Sequence, residues 1–215
     1  MNGAVAVIGA GGHAKVVIGT LQAAGYTVGG VFDDSPAKWG TEILGVPVKG
    51  AIQQVSEAGF TEAVIAIGDN ATRQKLARQL GNLRWLTVVH PHTWVHPSAR
   101  IGAGSVVFAG AIIQPEAQIG EHVIINTGAT VDHECIVADF SHIAPGAHLA
   151  GRVVVEEGAF VGMGCNVIQG CRIGAWTIVG AGAAVICDLP AHVTAVGVPA
   201  RVIKWHDTGM EGNHG

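Results

Sequence analysis

From Val95 to Val185 an aliphatic residue returns at every sixth position, sixteen times without a gap, beginning Val95, Ile101, Val107, Ile113 and ending Ile173, Val179, Val185. Neither regular element has that period, since a helix face repeats about every 3.6 residues and a strand face about every 2. A six-residue unit corresponds to one flat face and one corner of a winding chain, its aliphatic side chain pointing inward. Four positions after each aliphatic residue stands a small one, as at Ala99, Ser105, Ala111, Ala117, Ala129 and Cys135; Val123, Val153 and Leu189 break the pattern. The period predicts a parallel β-helix, a triangular prism of about five coils and on the order of 25 Å tall. Glycines directly after the aliphatic residue, among them Gly102, Gly120, Gly162, Gly174 and Gly180, are expected to release turn torsions that a Cβ would disfavour. Composition agrees, because 32 glycines, 49% hydrophobic residues and a single Tyr require a core of small and β-branched side chains.

Residues 1–90 follow another rhythm. Ala4 to Ile8 reads as a buried strand, followed by a glycine loop, a helix through Gln22 and a strand Thr27 to Phe32. A short helix near Ala51 to Ala58, a strand Ala63 to Ile67, a helix Ala71 to Leu80 and a strand Leu83 to Val89 complete a small Rossmann-like α/β domain of about four parallel strands. The expected division is therefore an α/β domain over 1–90, a β-helix over 91–206 and a flexible tail over 207–215. A net charge of −4 with scattered basic residues excludes the electrostatic footprint of a nucleic-acid binder. No apolar run approaches the ~20 residues that span a bilayer, and the N-terminus has no signal-like segment, so the expectation is a soluble cytoplasmic protein without a membrane partner.

The segment Gly9-Ala10-Gly11-Gly12-His13-Ala14, between a strand and a helix, matches a dinucleotide fingerprint in its Gly/Ala form. Too few strands precede the repeats for a full dinucleotide fold. What survives is a helix N-terminus and the backbone N–H groups of Gly11 and Gly12, offered to a phosphate or diphosphate. His13 and Lys15 are placed to add charge there. Asp33 and Asp34 end the second strand and Gly68-Asp69-Asn70 follows the third, at the edge where such sheets bind ligands; a carboxylate there suits a base or ribose.

Ionisable residues concentrate between Asn126 and His142, on coils that are otherwise apolar. His133, with Glu134 beside it to orient the ring, is the leading general base, and His142 is the second candidate. Nine residues are half a coil, so the two histidines are expected on different faces of one prism, on the order of 10 Å or more apart. They would meet only across a subunit interface. A metal site drawn from His133, His142 and His148 lacks dedicated ligand spacing, so no metal is expected. Cys135, Cys165 and Cys171 occupy the small-residue slot and read as packing.

Ile8 through Lys15, the run Ile125-Asn126 through His133-Glu134-Cys135 to Ser141-His142, and Gly197-Val198-Pro199-Ala200-Arg201 together resemble the sugar O-acyltransferase and nucleotide-4-amino-sugar N-acetyltransferase family, over Val5 to Lys204. The resemblance implies a left-handed winding and a homotrimer, with acetyl-CoA in the groove between prisms and a nucleotide sugar reaching down from the α/β domain. It implies His133 as base assisted by Glu134, and His142 near the acetyl group. Gly151 and Gly162 would offer N–H groups to the thioester or pantetheine, and Arg201 and Lys204 would meet CoA phosphates. The acceptor it implies is a UDP- or GDP-linked 4-amino-4,6-dideoxy sugar; O-acetylation of a sugar, a metal-dependent hydrase, a nicotinamide enzyme and a non-catalytic scaffold are the competing readings.

Overall fold

The computed structural model describes residues 4–207. Val5–Ile8 (β1) is buried along its whole length, as an interior strand flanked by parallel neighbours must be. The helix Gly12–Ala23 (α1) covers one face and leads to β2 (Val28–Phe32). Next come a hairpin of β3 (Glu42–Ile43) and β4 (Val46–Gly50), then β5 (Glu62–Ile65), the helix Asn70–Gln79 (α2) and β6 (Arg84–Trp85). The sheet order is β3-β4-β2-β1-β5-β6, with only the β3–β4 pair antiparallel. The chain thus crosses over β1 between β4 and β5, and that switch point opens a crevice at the carboxyl ends of β1 and β5.

Two elements differ from expectation. The parallel strands number five rather than about four, because β4 carries Pro47, a residue that argues against a strand yet is tolerated where its missing N–H is not needed. The helix expected over 51–58 is one 3-10 turn at Ile52–Gln54, a segment too short to propagate a cooperative helix.

There is no linker between the two halves. Val88–Val89 (β7) pairs in parallel with Val106–Val107 and is the first strand of the prism. Val88 packs with the α/β core while Val89 packs against the prism core. From there, two-residue strands stack in three sheets, and the register advances by one coil from Val107 to Ile125 to Ile143. The aliphatic and small positions form one continuous buried column, in which Val123, Val153 and Leu189 are also buried. The winding is the left-handed β-helix. An antiparallel pair, Val193–Val196 with Arg201–Trp205, closes its far end. No helix among the described residues is long and apolar enough to cross a membrane, and residues 208–215 of the expected tail lie outside the described residues.

The glycines after the aliphatic residue serve a different purpose from the one expected. The left-handed torsions fall two positions later, at Gly104, Gly128 and Gly164, and at non-glycine corners such as His122, Glu134 and Phe140. Gly102 and Gly162 are needed for space instead: a Cβ on Gly162 would stand 2.5 Å from the Val179 carbonyl oxygen of the next coil, and one on Gly102 would stand 2.5 Å from the Gly120 backbone. Gly162→Ala is therefore expected to destabilise the fold by about 2–3 kcal/mol through overpacking. Gly128→Ala, with φ +67° but open space around the new carbon, should cost only about 1–2 kcal/mol. Urea denaturation of the two variants measures the difference.

Candidate active site

The α/β domain is fastened to the prism by one face of α2. Asp69 precedes this helix and accepts a hydrogen bond from the Thr72 N–H at 2.8 Å; hydrogen bonding from the Thr72 side chain first and from that N–H second holds its carboxyl below the usual range. One turn in, Arg73 is 1% exposed. Its Nε donates to the His122 carbonyl at 2.8 Å, Nη2 donates to the Phe140 carbonyl at 2.6 Å and to Asn70 Oδ1 at 2.8 Å, and Nη1 donates to the Ile67 carbonyl at 3.1 Å and, more loosely, the Gly68 carbonyl at 3.3 Å. Asn70 Nδ2 donates to the Gly158 carbonyl at 2.9 Å. His122, Phe140 and Gly158 occupy the same corner of successive coils, all in the left-handed region with φ of 52°, 58° and 67°. Burial draws Arg73 down to about 10, which leaves it charged at neutral pH.

Three histidines crowd this guanidinium. His142, on the prism strand His142–Ile143, is 7% exposed. Its Nε2 lies 3.0 Å from Asn126 Nδ2, and the Phe160 ring meets it edge-on at 5.1 Å. The ring of His13, in the first turn of α1, lies 6.3 Å from that of His142 and 5.4 Å from that of Phe108. His122 stacks on Phe140 at 5.3 Å. Burial first and the Arg73 charge second lower His142 to about 3 and both His13 and His122 to about 4. Burial and the Arg73 charge thus favour the neutral form of all three, and the His13 ring is turned into the junction against Phe108 and His142.

His133 sits at another corner, after the strand Thr130–Val131, and its side chain is half exposed. Its Nδ1 lies 2.9 Å from Glu134 Oε2, and its own N–H donates to Asp132 Oδ1 at 2.6 Å. Glu134 holds a left-handed φ of 57°, and its carboxylate also has Arg152 Nη1 at 3.9 Å. The Nε2–Cε1 edge of the His133 ring lies against Gly151 of the next coil, where a Cβ would stand 2.5 Å from Cε1 and closer still to Nε2, so any side chain at 151 would displace it. Gly151 is thus the position that lets the imidazole lie along the prism wall. As the repeat requires, His133 and His142 stand on different faces, and one chain does not bring them together.

In the α/β domain Gly11 is the N-cap of α1, with Gly12 in its first turn and Lys15 exposed. Asp33 is committed within the fold. One oxygen accepts from the Ala10 N–H at 2.7 Å and from Lys38 Nζ at 3.0 Å, and the other accepts from the Ser35 N–H at 2.9 Å. Burial alone would raise its pKa, but these bonds and the Lys38 charge bring it below the usual value. Asp34 accepts from the Ile52 N–H at 3.0 Å. Both carboxylates line a pocket of about 300 Å³ with Ile67, Thr72, Lys75 and Gln79. A second pocket, of about 380 Å³ and mostly apolar, runs from Gly68, Asp69 and Asn70 to Phe160, Trp176 and Ile178 on the prism. The helix α2 forms a wall of both.

The remaining candidates divide. The Gly162 N–H already donates to the Val179 carbonyl at 2.9 Å, so it is not free for a thioester. Arg201 and Lys204 lie exposed on the closing strand, and Arg201 borders a pocket of about 360 Å³ with Cys187 and Asp188. Cys135, Cys165 and Cys171 are buried in the prism core, and burial pushes the first two thiols up to about 11.

Comparison with known proteins fits this geometry. The PglD N-terminal domain family matches residues 4–80. Perosamine N-acetyltransferase from Caulobacter crescentus, solved as a histidine-to-asparagine variant with CoA and GDP-perosamine, is 45% identical, with a TM-score of 0.90 over 94% of this chain and 97% of that one. The chain belongs to the nucleotide-amino-sugar N-acetyltransferase family. The acetyltransferase domain of PglB from Neisseria gonorrhoeae, another similar structure, is 36% identical, with a TM-score of 0.88 over 94% of this chain and 100% of that one. UDP-N-acetylbacillosamine N-acetyltransferase from Bacillus subtilis is 43% identical over 110 residues, a match covering 49% of this chain and 51% of that enzyme. The chain spans about half or less of the length of the curated relatives it matches.

Within this acetyltransferase framework, sequence reasoning missed Arg73 and His122, and it placed Asn70 beside the crevice without its bond to the prism. A charged residue on a helix whose pattern is mostly polar reads as solvated; only the unusual supply of outward carbonyls on the prism corners reverses that, and no local motif signals it. Arg73→Met is expected to lower stability by about 3–5 kcal/mol, because several buried carbonyls lose their donor, and a thermal melt detects it. The buried histidines set a pH dependence. Their folded pKa values lie below the unfolded value of about 6.5, so the unfolded chain binds more protons in acid. Stability should be flat above pH 6.5 and fall as pH drops towards 4, by about 1.4 kcal/mol per pH unit for each histidine. Urea midpoints at pH 7.5 and 5.0 test this.

Proposed function

We propose that the protein is an acetyl-CoA-dependent N-acetyltransferase whose acceptor is a nucleotide-linked 4-amino-4,6-dideoxy sugar, and that it works as a homotrimer with active sites between prisms. The observation that carries the reading is the near full-length similarity to an enzyme solved with CoA and GDP-perosamine, joined to the His133–Glu134 pair on the prism wall. Glu134 accepts the proton-bearing Nδ1 of His133 at 2.9 Å, which leaves Nε2 with its lone pair free. That nitrogen is the base. The sugar amine attacks the thioester carbonyl carbon, a carbon–nitrogen bond forms, and His133 Nε2 takes the amine proton. Collapse breaks the carbon–sulfur bond, and the departing CoA thiolate receives the proton from His133.

The nucleotide belongs in the crevice of the α/β domain, with Asp33, Asp34, Lys15 and the N-terminus of α1 around it, and the sugar extends past Gly68 towards the prism. His142, on a different face from His133, meets it only through a neighbouring subunit, which is why the trimer is part of the proposal. Gly151 and His142 are the positions for the acyl group; Arg201 and Lys204 remain the cations for CoA phosphates. An acyl-enzyme through cysteine is disfavoured by the burial and raised pKa of Cys135 and Cys165.

Thiol release from acetyl-CoA, measured with UDP- and GDP-linked 4-amino sugars, tests the activity. Release with neither would sink the reading in favour of another acceptor. His133→Ala is expected to lower kcat by about 100-fold or more, and Glu134→Gln by less. Full activity in His133→Ala would remove it as the base.

A further inference from the structure

His133 does not stand alone with its carboxylate. Glu134 Oε2 lies 2.9 Å from His133 Nδ1, and the same oxygen has Arg152 Nη1 at 3.9 Å. The prism brings these groups together. Glu116, Glu134, Arg152 and Gly170 occupy one corner of four successive coils, and all hold the left-handed torsion, with φ of 61°, 57°, 59° and 73°. The corner is tied coil to coil: the Glu134 N–H donates to the Pro115 carbonyl at 3.0 Å, and the Arg152 N–H donates to the carbonyl of His133 itself at 2.9 Å. Among the described residues Arg152 is the one cation in this column. The other charges around the imidazole are acidic, namely Asp132 and Glu134 on its own corner and Glu116 one coil below. On the adjoining sheet the nearest titratable group is His148, whose Nδ1 lies 2.9 Å from Thr130 Oγ1.

An imidazole among carboxylates alone is stabilised as imidazolium, and a base that already holds its proton cannot take one from the amine. We infer that Arg152 is a positioning residue for the acetyl transfer: it holds the Glu134 carboxylate against His133 Nδ1 and offsets its charge, and so sets the lowest pH at which His133 works as base. The inference rests on the proposed role of His133 in that transfer. Two effects of Arg152 have the same sign. Its guanidinium draws on the oxygen that accepts from Nδ1–H, which weakens the hold of that oxygen on a protonated ring, and it repels the imidazolium directly. It also restrains a half-exposed carboxylate from turning into water. The contact is 3.9 Å, through one nitrogen, between side chains 62% and 49% exposed. Arg152 therefore acts as a screened point charge, small in effect, weakened by salt and replaceable by another cation.

The pH profile of kcat/KM separates this role from a structural one. Arg152→Met is expected to move the acidic limb up by about half a pH unit. Arg152→Lys should return the limb to its wild-type position, and Glu134→Gln should move it down. The gap between the wild type and Arg152→Met should narrow at high salt. An acidic limb that stays in place or moves down in Arg152→Met overturns the inference, as does a fall in kcat without a shift, or a shift that Arg152→Lys leaves uncorrected. Should Arg152→Met not fold, Arg152→Gln takes its place with the same expected shift. NMR titration of the ligand-free protein, labelled with ¹⁵N-histidine, reads the effect without turnover, the His133 signal being the one lost in His133→Ala. Its midpoint should rise in Arg152→Met relative to the wild type, and an unchanged midpoint removes the role. Absence of acetyl transfer by the wild-type protein would sink the proposed function, while the titration still decides whether Arg152 governs the protonation of His133.

Discussion

A guanidinium sealed from water must find acceptors for nearly all its donors, and Arg73 finds them on both domains at once. Carbonyls from Ile67 and Gly68 come from the end of the α/β sheet, and those of His122 and Phe140 come from the prism. The prism can supply them because each corner residue sits in the left-handed region, which turns its peptide out of the sheet ladder. Coils stack about 4.8 Å apart, so corner carbonyls form a regular column, and Arg73 with Asn70 spans three of its members. Left-handed corners cost backbone energy where the residue is not glycine. At His122 and Phe140 that cost is offset by the stacked rings and the buried hydrogen bonds. One helix thereby sets the orientation of the α/β crevice over the prism wall.

The prism was legible in the sequence because a solenoid repeats one local rule, and sixteen repetitions of an inward aliphatic residue admit no other closed packing. Corner torsions were less legible. The glycine after each aliphatic residue draws the eye, yet Gly162 is small because the next coil passes close, while the torsional demand falls two positions later in the hexad, at Gly128, Glu134 and Phe140 on three successive corners. In the α/β half, β1 announced itself by four consecutive buried residues, whereas Pro47 concealed β4. The junction was not legible at all. Arg73, Asn70 and the carbonyls of His122, Phe140 and Gly158 lie on segments that touch only once the fold is complete, so pairing information is spread across distant positions.

The candidate site divides along the same line. His133 and Glu134 are adjacent in the chain, so their pairing could be argued from spacing, and the 2.9 Å contact agrees with it. The pair His13 and His142 could not, since these residues meet through tertiary packing alone. Their placement also sets the surroundings of His13: close to a charged guanidinium and away from water, the neutral imidazole is favoured. Asp33 shows the converse, a carboxylate in a ligand-binding position that already satisfies the Ala10 N–H. Any nucleotide there would meet a loop whose shape is held by that carboxylate.

Two histidines half a coil apart thus acquire opposite chemistry from their surroundings. Half exposed, His133 keeps contact with solvent and with the Glu134 carboxylate. Buried among Phe160, His13 and Arg73, His142 is shifted towards its neutral form, by burial first and the Arg73 charge second. A base must be reached by solvent to reset after each turnover, whereas a dipole works best where water is excluded. The prism meets both demands with one residue type, because its open corners face solvent while the face beneath the α/β domain is covered. Arg73 is what keeps that face covered.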